Sequence, residues 1–319
     1  MSSTQGKILV TGGTGFVGKH LQEELRRRDI PFFAFSRREF DLTERAQAEA
    51  VFASHSNATA IIHLASYQAA GDFPAKHPAE QFFVNNLIHT HVLEAWRKHL
   101  PQAKLVAIGT SCAYPSSALC PTEDKYLDGA IHGSVYSYAF TKRLLYTGIC
   151  AYNDQFKLDG TYLIPATMYG EYDDFHPATA HVPGALMGKF VRAVREGLPT
   201  VEVWGDGTQV RDFVDVDEFV RVVLDLVPRC HRDILNVGPG RGKSIKELAL
   251  TISQATGFQG EVRFNPSAYV GIKEKFIDAG KLRQAYGLQV NDALAPGIQR
   301  TVKWLAANFD QWKDRRKFA

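Results

Sequence analysis

A glycine-rich segment near the start of the chain constrains the fold more than any other feature. Residues 7–11 form a short, apolar, β-branched run, and residues 12–18 read Gly-Gly-Thr-Gly-Phe-Val-Gly. The residues that follow alternate apolar and polar side chains at helical spacing, with Leu21 and Leu25 among the apolar ones. A buried strand, a glycine turn and an amphipathic helix are together the context of a dinucleotide-binding loop. A glycine-rich turn without a ligand is the alternative.

The glycines have separate expected roles in such a loop. Gly12 permits the tight turn, Gly15 lets the backbone approach a pyrophosphate, and Gly18 allows the helix to pack closely on the strand. The helix N-terminus would offer backbone amides and a partial positive charge to the phosphates.

Further strand-like runs follow, separated by helical segments. We predict strands at 7–11, 31–36, 60–65, 104–109, 161–168 and 233–238, and long helices at 80–99 and 134–153. Strands that alternate with helices predict an α/β fold, a doubly wound parallel sheet of the Rossmann type. After Tyr169 the pattern is less regular. We expect a dinucleotide-binding domain at 1–168 with a return segment near 213–240, and a smaller C-terminal substrate domain at 169–319.

Tyr138 and Lys142 lie four residues apart in the predicted helix 134–153. This spacing places both side chains on one face, one turn apart. An ammonium beside a phenol favours the phenolate, so we expect a lowered pKa for Tyr138 and easy proton transfer to a substrate oxygen. A solvated pair on an exposed helix face is the alternative.

Thr110 follows the buried run at 104–109, where a parallel strand would deliver its carboxyl end. Open α/β sheets bind ligands at that edge, so Thr110 could hydrogen-bond a substrate carbonyl. A capping role in a strand-end turn is the alternative.

The residues after the second predicted strand bear on the choice of nicotinamide cofactor. An acid at this position usually binds the ribose 2′-hydroxyl of NAD, whereas arginine accommodates the 2′-phosphate of NADP. The chain has Arg37 and Arg38 there and no acid, which favours NADP(H). Asp41 and Leu42 could flank the adenine. The alternative is that both arginines are surface charges.

Composition favours a cytoplasmic protein. The 319 residues are 45% hydrophobic, enough for a sizeable core, and the net charge is +3. Basic residues cluster only at 26–28 and 313–317, a weak signal for nucleic acid. We expect no membrane span, because no run of about 18 apolar residues occurs, and no secretory leader, because residues 1–6 are polar. The spacing of the four cysteines suggests neither a disulfide framework nor a metal site.

Taken together, the glycine loop, Thr110, Tyr138 and Lys142 resemble the extended short-chain dehydrogenase/reductase superfamily. Within it the chain most resembles the GDP-L-fucose synthase family, NADPH-dependent epimerase-reductases of a GDP-linked 4-keto-6-deoxy sugar. The similar segments are long and lie at 111–115, 169–170, 174–182 and 203–213. The resemblance implies Thr110, Tyr138 and Lys142 as catalytic residues for reduction, and Cys112 and His181 as the acid-base pair for epimerisation.

The resemblance also implies binding residues and an assembly. The cofactor positions are Gly12, Thr14, Gly15, Phe16, Val17, Gly18, Arg37, Arg38, Asp41, Leu42, Leu64, Ala65, Ser66, Tyr138, Lys142 and Pro165. The substrate positions are Ser111, Lys189, Trp204, Arg211 and Lys275. In this family the helix carrying Tyr138 and the helix at 80–99 pack against their counterparts, which implies a homodimer.

Several positions depart from the pattern of the family. An asparagine expected near the sugar is replaced by Thr167, the loop at 66–72 lacks a Lys-Val-Gly-Gly sequence, and Glu274 replaces a basic residue. The approach to the catalytic helix at 134–138 differs too. Three alternatives therefore stay open: a C4 reductase of a related GDP-6-deoxy-4-keto sugar such as a heptose, a C4 epimerase that retains NAD, and a redox-sensing regulator.

Overall fold

The structure is a computed structural model, and it describes residues 6–71, 73–268 and 272–312. Two features of the sequence analysis lie outside the described residues: Asp72, the last residue of the loop at 66–72, and the basic segment 313–317. The strands are β1 (Lys7–Thr11), β2 (Phe32–Phe35), β3 (Ala58–His63), β4 (Lys104–Ile108), β5 (Gly160–Pro165), β6 (Thr167–Tyr169), β7 (Thr200–Trp204), β8 (Val210–Arg211), β9 (Phe213–Asp215), β10 (Ile234–Val237), β11 (Lys243–Ser244), β12 (Glu261–Asn265) and β13 (Glu274–Lys275).

The helices are α1 (Phe16–Arg27), α2 (Arg45–Ala53), α3 (Phe73–Lys76), α4 (Pro78–His99), α5 (Tyr136–Phe156), α6 (Val182–Glu196), α7 (Val216–Leu226), α8 (Ile245–Thr256), α9 (Gly280–Tyr286) and α10 (Leu294–Trp312). Short 3₁₀ turns follow β4 at Ser111–Ala113 and precede α5 at Glu123–Lys125.

A six-stranded parallel sheet in the order β10-β5-β4-β3-β1-β2 forms the centre of the molecule. Helix α1 packs against α7, and α4 packs against α2 and α5. The α/β fold with a doubly wound parallel sheet, predicted from the sequence, is confirmed. The strand order reverses between β1 and β3, and the carboxyl ends of the strands at such a switch point form a ligand-binding crevice.

The C-terminal part of the chain builds a second apolar cluster. Helices α6, α8 and α10 bury Phe190, Leu248, Ile298 and Leu305 among others. Three small sheets accompany them, in the orders β11-β8-β13, β12-β7 and β6-β9. Strand β10 pairs with β5 in the central sheet. The division into domains at residue 168 stays a prediction.

The run predicted as one strand at 161–168 is two strands in different sheets. Strand β5 ends at Pro165, and the amide of Thr167 then donates to the carbonyl of Asp212, so β6 pairs with β9. The prediction was wrong here because an apolar run stays buried on both sheets, and its composition does not show where the chain changes partners.

Helix α8 begins at a side-chain cap. The hydroxyl of Ser244 accepts a hydrogen bond from the amide of Glu247 at 3.0 Å and caps α8. Among the residues that the structure describes, no helix combines the length and the apolar character that crossing a membrane requires.

Candidate active site

The candidate site lies where three neighbouring parallel strands end. Strand β1 leads into the glycine loop, β3 leads into Leu64, Ala65 and Ser66, and β4 leads into the turn with Thr110. The amide of Ala65 donates to the hydroxyl of Thr11 at 3.1 Å, which joins the ends of β1 and β3. The sheet topology thus brings together segments that are far apart in the sequence.

The conformation of the glycine loop requires residues that have no side chain. Gly12 has φ +71°, and a Cβ there would lie 2.8 Å from the amide nitrogen of Ala65. A Cβ on Gly18 would lie 2.5 Å from the carbonyl oxygen of Gly12. The roles expected of Gly12 in the turn and of Gly18 in helix packing match this geometry.

The start of α1 fits a bound pyrophosphate. Gly15 is the N-cap and offers no side-chain hydrogen bond to the helix amides, and the first turn contains no acidic residue. Thr14 and Gly15 are exposed, while Phe16 and Val17 are half-buried. Unsatisfied amides at a helix N-terminus attract anions, so this loop could hold the phosphates of a dinucleotide.

Arg37 and Arg38 both lie exposed after β2. The guanidinium of Arg37 forms an ion pair with Asp41 at 2.9 Å. Hydrogen bonds from Thr43 and this ion pair outweigh partial burial and lower the pKa of the Asp41 carboxyl. Leu42 is buried, so its side chain belongs to the core. Arg37 is therefore oriented by Asp41, and both arginines can reach an anion from solvent.

Tyr138 and Lys142 lie one turn apart on α5, as predicted. The Lys142 ammonium lies 5.8 Å from the centre of the Tyr138 ring and donates to the carbonyl of Ile108 at 2.9 Å. Lys142 is buried, and Tyr138 is half-buried. The pair is thus not a solvated surface contact, which was the alternative.

The lowered pKa expected for Tyr138 is a wrong prediction. Burial raises the pKa of Tyr138, and the nearby Cys112 sulfur adds to the rise, against a smaller opposing effect of the Ser66 hydroxyl. Burial also lowers the pKa of Lys142 to about 7. The reason is that the ammonium is directed to the Ile108 carbonyl and is itself desolvated, so it offers the phenol little charge stabilisation.

Two buried histidines lie near Lys142. His63 contacts the Thr11 hydroxyl at 2.8 Å and His89 at 3.0 Å. Burial, and secondarily the Lys142 charge, lowers the pKa of His63 to about 3. Burial likewise lowers the pKa of His89. This side of the site therefore holds its histidines neutral.

The turn after β4 carries three of the predicted residues. The hydroxyl of Thr110 accepts from the amide of Cys112 at 3.2 Å, so Thr110 caps the turn, and its role toward substrate stays a prediction. Ser111 and Cys112 are half-buried. The Cys112 sulfur acts electrostatically on both Tyr138 and Arg211. The structure thus groups Thr110, Cys112, Tyr138 and Arg211.

His181 and two other predicted residues lie on the C-terminal side. His181 is exposed at the N-cap of α6, and its Nε2 lies 3.5 Å from the side-chain amide of Gln68. Lys189 lies over the ring of Trp204 at 5.1 Å and donates to the carbonyl of Glu202. Trp204 is exposed and could stack on a planar ligand.

A row of basic residues crosses the small sheet. Arg211 on β8 lies opposite Lys275 on β13 and Lys243 on β11. Registered partners on neighbouring strands share a face, so three cations lie side by side there. Lys243 was missed by sequence reasoning, because only the strand pairing places it next to Arg211.

Asn85 is a second missed residue. Its side chain accepts from the hydroxyl of Ser66 and the amide of Tyr67, and donates to the carbonyl of Tyr67 at 2.9 Å. The signal that could have found it is a row of polar residues at helical spacing, Gln81, Asn85 and His89, all of which are buried on one face of α4. Asn85 fixes the predicted cofactor position Ser66 after β3.

Pro165 ends β5, adjacent to β4, on the same side of the sheet as the other predicted cofactor positions. Within the described ranges, no group of three or more His, Cys, Asp or Glu side chains is placed to hold a metal ion. Cys112, Cys120, Cys150 and Cys230 are free thiols.

A model of the NAD dependent epimerase/dehydratase family matches residues 8–238, which include the glycine loop, Thr110, Tyr138 and Lys142. The chain belongs to this family. The assignment agrees with the predicted extended short-chain dehydrogenase/reductase superfamily.

Individual members of the epimerase/dehydratase family match over nearly the whole chain. A probable GDP-L-fucose synthase 1 of Oryza sativa is 32% identical, over 95% of this chain and 93% of its own length. The structure of a GDP-L-fucose synthetase from Naegleria fowleri bound to NADP is 25% identical and superposes with a TM-score of 0.89, covering 98% of this chain and 97% of that one. A GDP-6-OMe-4-keto-L-xylo-heptose reductase from Campylobacter jejuni, at 23% identity, shares the fold with a TM-score of 0.87 over 96% of this chain and 99% of its own.

Proposed function

We propose that this protein is an NADPH-dependent oxidoreductase that reduces the C4 ketone of a GDP-linked 4-keto-6-deoxy sugar. The observation that carries the proposal is the placement of Tyr138 and Lys142 on α5, beside the Thr110 turn and at the same sheet edge as the glycine loop. Family membership and the full-length similarity to GDP-L-fucose synthases support the nucleotide sugar as substrate class.

NADPH, when bound, supplies the hydride that is added to C4 of the sugar. Tyr138 gives the proton to the developing oxygen, and its raised pKa means that it holds this proton at neutral pH. The Thr110 oxygen accepts from the Cys112 amide, which leaves its O–H to orient the ketone oxygen. Lys142 uses one N–H on Ile108 and retains others for a ribose hydroxyl and the phenol.

The glycine loop and the two arginines would bind the cofactor. The amides at the start of α1 face the pyrophosphate, and Arg37 and Arg38 pair with the 2′-phosphate. The basic row of Arg211, Lys275 and Lys243 suits the diphosphate of the sugar nucleotide, and the exposed Trp204 suits a planar base.

A product assay tests the reduction. The protein is incubated with NADPH and a panel of GDP-linked 4-keto-6-deoxy hexoses and heptoses, and NMR gives the stereochemistry of each product. We expect consumption of NADPH with formation of a C4 alcohol from one of these sugars. Conversion of a GDP-linked 4-hydroxy sugar into its C4 epimer, without any consumption of NADPH, would instead establish the C4 epimerase that retains its cofactor.

Epimerisation at C3 and C5 before reduction is a second candidate, favoured by the position of Cys112. A C4 ketone acidifies the protons on C3 and C5, and the Cys112 thiol lies in the same turn as Thr110, near Tyr138. The resemblance to GDP-L-fucose synthases assigns the acid-base pair to Cys112 and His181, and a thiolate and an imidazole are a suitable base and acid near neutral pH. The replacement of an asparagine by Thr167 and the altered loop after β3 favour the reductase-only alternative.

Deuterium exchange separates these two candidates. Substrate in D₂O with NADP⁺, which cannot reduce it, should gain deuterium at C3 and C5 if epimerisation occurs, and the Tyr138→Phe variant should still exchange. Cys112→Ser and His181→Asn should abolish the exchange, because an alcohol is a far weaker acid-base group than a thiol and an amide cannot shuttle a proton. Reduction without deuterium at either carbon would show that the enzyme is a reductase only.

We also propose that the protein is a cytoplasmic homodimer that joins its copies through α4 and α5. Six exposed large apolar residues lie on these two helices, namely Phe82, Phe83, Tyr136, Phe140, Leu144 and Phe156. The apolar residues Ile88, Leu93, Leu145 and Ile149 of the same helices are buried in the core of one chain and are unavailable to a partner. Light scattering should give twice the chain mass, and Phe83→Glu should give a monomer, whereas the control Leu250→Glu on α8 should not.

A further inference from the structure

Two buried tyrosines connect the turn that carries Thr110 to the helix that carries Lys142. The hydroxyl of Tyr162 donates to the backbone carbonyl of Lys142 at 2.9 Å, and the hydroxyls of Tyr126 and Tyr162 are 2.9 Å apart. The backbone N–H of Thr110 interacts with the Tyr126 oxygen and favours its ionised form. Both side chains are almost fully buried.

The direction of these contacts follows from the number of protons available. Each phenol has one O–H to donate. Tyr162 donates its single O–H to the Lys142 carbonyl, so Tyr126 must donate to the Tyr162 oxygen. Toward the Thr110 amide, the Tyr126 oxygen can then act only as an acceptor. The contacts therefore run in one direction, from Thr110 through Tyr126 and Tyr162 to Lys142.

The surrounding backbone is built to admit this pair. A Cβ on Gly109 would lie 2.5 Å from the Tyr162 ring, so only glycine lets the ring pass beneath the end of β4. Arg143, the next residue on α5, holds the other end of the turn through the Ala113 carbonyl at 2.9 Å. Its guanidinium also binds the carbonyls of Asp128 and Gly129, which follow Tyr126.

The hydroxyls are not needed to fill the core. The rings of Tyr114 and Tyr126 lie 5.1 Å apart and those of Tyr126 and Tyr162 5.5 Å apart, so phenylalanine would pack as well. Burying a hydroxyl costs free energy unless it is hydrogen-bonded. Here the Tyr162 hydroxyl donates to the backbone of α5, and the Tyr126 hydroxyl bonds to Tyr162 and interacts with the backbone N–H of Thr110.

We infer that Tyr126 and Tyr162 are positioning residues, which hold the Thr110 turn in register with Lys142 on α5 for proton transfer to the substrate oxygen. Only the expected fall in kcat rests on the proposed function. The hydrogen-bonded connection itself has a readout that requires no substrate.

The test uses Tyr126→Phe and Tyr162→Phe, which remove one hydroxyl each, and the double variant. Tyr146→Phe is the control, because its ring packs against both tyrosines but its hydroxyl lies outside the connection. Kinetics are measured well below the lowest melting temperature, and amide hydrogen exchange is followed by mass spectrometry on peptides that span 109–113.

We expect kcat for the reduction to fall about tenfold in each single variant while KM for NADPH stays within twofold. The Thr110 amide should exchange at least tenfold faster. Because the two links act in series, the double variant should lose no more kcat than the single ones. If Tyr162→Phe does not fold, Tyr126→Phe carries the same test.

An unchanged kcat or unchanged exchange in the folded single variants would overturn the inference, and so would an equal loss of kcat in Tyr146→Phe. Absence of reductase activity in the unmodified protein would refute the proposed function instead. In that case the exchange rates alone decide whether the tyrosines fix the turn.

Discussion

The glycine loop and the catalytic turn lie at neighbouring strand ends, but different forces hold them in place. The loop at 12–18 is fixed by missing side chains, since a Cβ on Gly12 or Gly18 would collide with nearby backbone. The Thr110 turn is instead contacted by side chains from distant segments, since Arg143 donates to the Ala113 carbonyl and the Tyr162 ring packs against Gly109. Changes in the loop should therefore affect cofactor binding, and changes around the turn should affect the chemical step.

The largest expected effect separates chemistry from binding. Tyr138→Phe removes the proposed acid, and loss of a general acid typically lowers a rate by about 10²- to 10⁴-fold. We expect kcat to fall by that amount while the Kd for NADPH, measured by fluorescence titration, stays within twofold. Tyr136→Phe, on the exposed side of the same helix, is the control and should leave kcat unchanged. A large loss of NADPH affinity in Tyr138→Phe would contradict the claim that the loop governs cofactor binding while the region of the turn governs the chemical step.

The second prediction concerns the burial of Lys142. Its folded pKa of about 7 lies below the unfolded value of about 10.4. Between these values the unfolded chain binds a proton that the native protein does not, so the free energy of unfolding should rise with pH. We expect a slope of up to about 1.4 kcal/mol per pH unit relative to Lys142→Met, from urea denaturation between pH 7 and 10. The exposed Lys303→Met is the control, and equal slopes in all three proteins would refute burial as the cause.

The third prediction tests the steric account of the loop. Gly12→Ala places a Cβ 2.8 Å from the Ala65 nitrogen at φ +71°, and we expect at least tenfold weaker NADPH binding with destabilisation of about 1–3 kcal/mol. Gly197→Ala meets open space at φ +65°, so it should cost about 1 kcal/mol and leave the Kd for NADPH unchanged. Equal effects of both substitutions on stability and on the Kd for NADPH would show that backbone strain, rather than a collision with the residues after β3, causes the losses.

The smallest expected effect concerns cofactor selection. Replacing Arg37 and Arg38 with alanine should narrow the preference for NADPH over NADH by about tenfold, because a charge-assisted contact contributes about 1.5–3 kcal/mol. The ratio of kcat/KM for the two cofactors measures this preference. Arg45→Ala, an exposed arginine on α2, should leave the ratio unchanged. Equal use of both cofactors by the unmodified protein would contradict the assignment.

The contrast between a loop determined by adjacent residues and a turn held by distant ones also explains which features the sequence could predict. The glycine loop, β4 with its terminal Thr110, and the Tyr138–Lys142 pair are local patterns, so a few adjacent residues suffice to recognise them. The raised pKa of Tyr138 depends on burial and on Cys112, 26 residues earlier in the chain. The roles of Asn85, Lys243 and Tyr162 depend on contacts between residues that are distant in the sequence. No local spacing of residues predicts those contacts. For the same reason, the switch of the chain from β5 to β6 was missed.

Transfer of a labelled hydride measures the proposed reduction at C4 itself. The protein is incubated with a GDP-linked 4-keto-6-deoxy sugar and NADPH that carries two deuterium atoms at C4 of the nicotinamide, and the product is examined by NMR. The account predicts one deuterium at C4 of the sugar and equimolar NADP⁺. A C4 alcohol without deuterium, or a sugar left as the ketone while the protein binds NADPH, would contradict it.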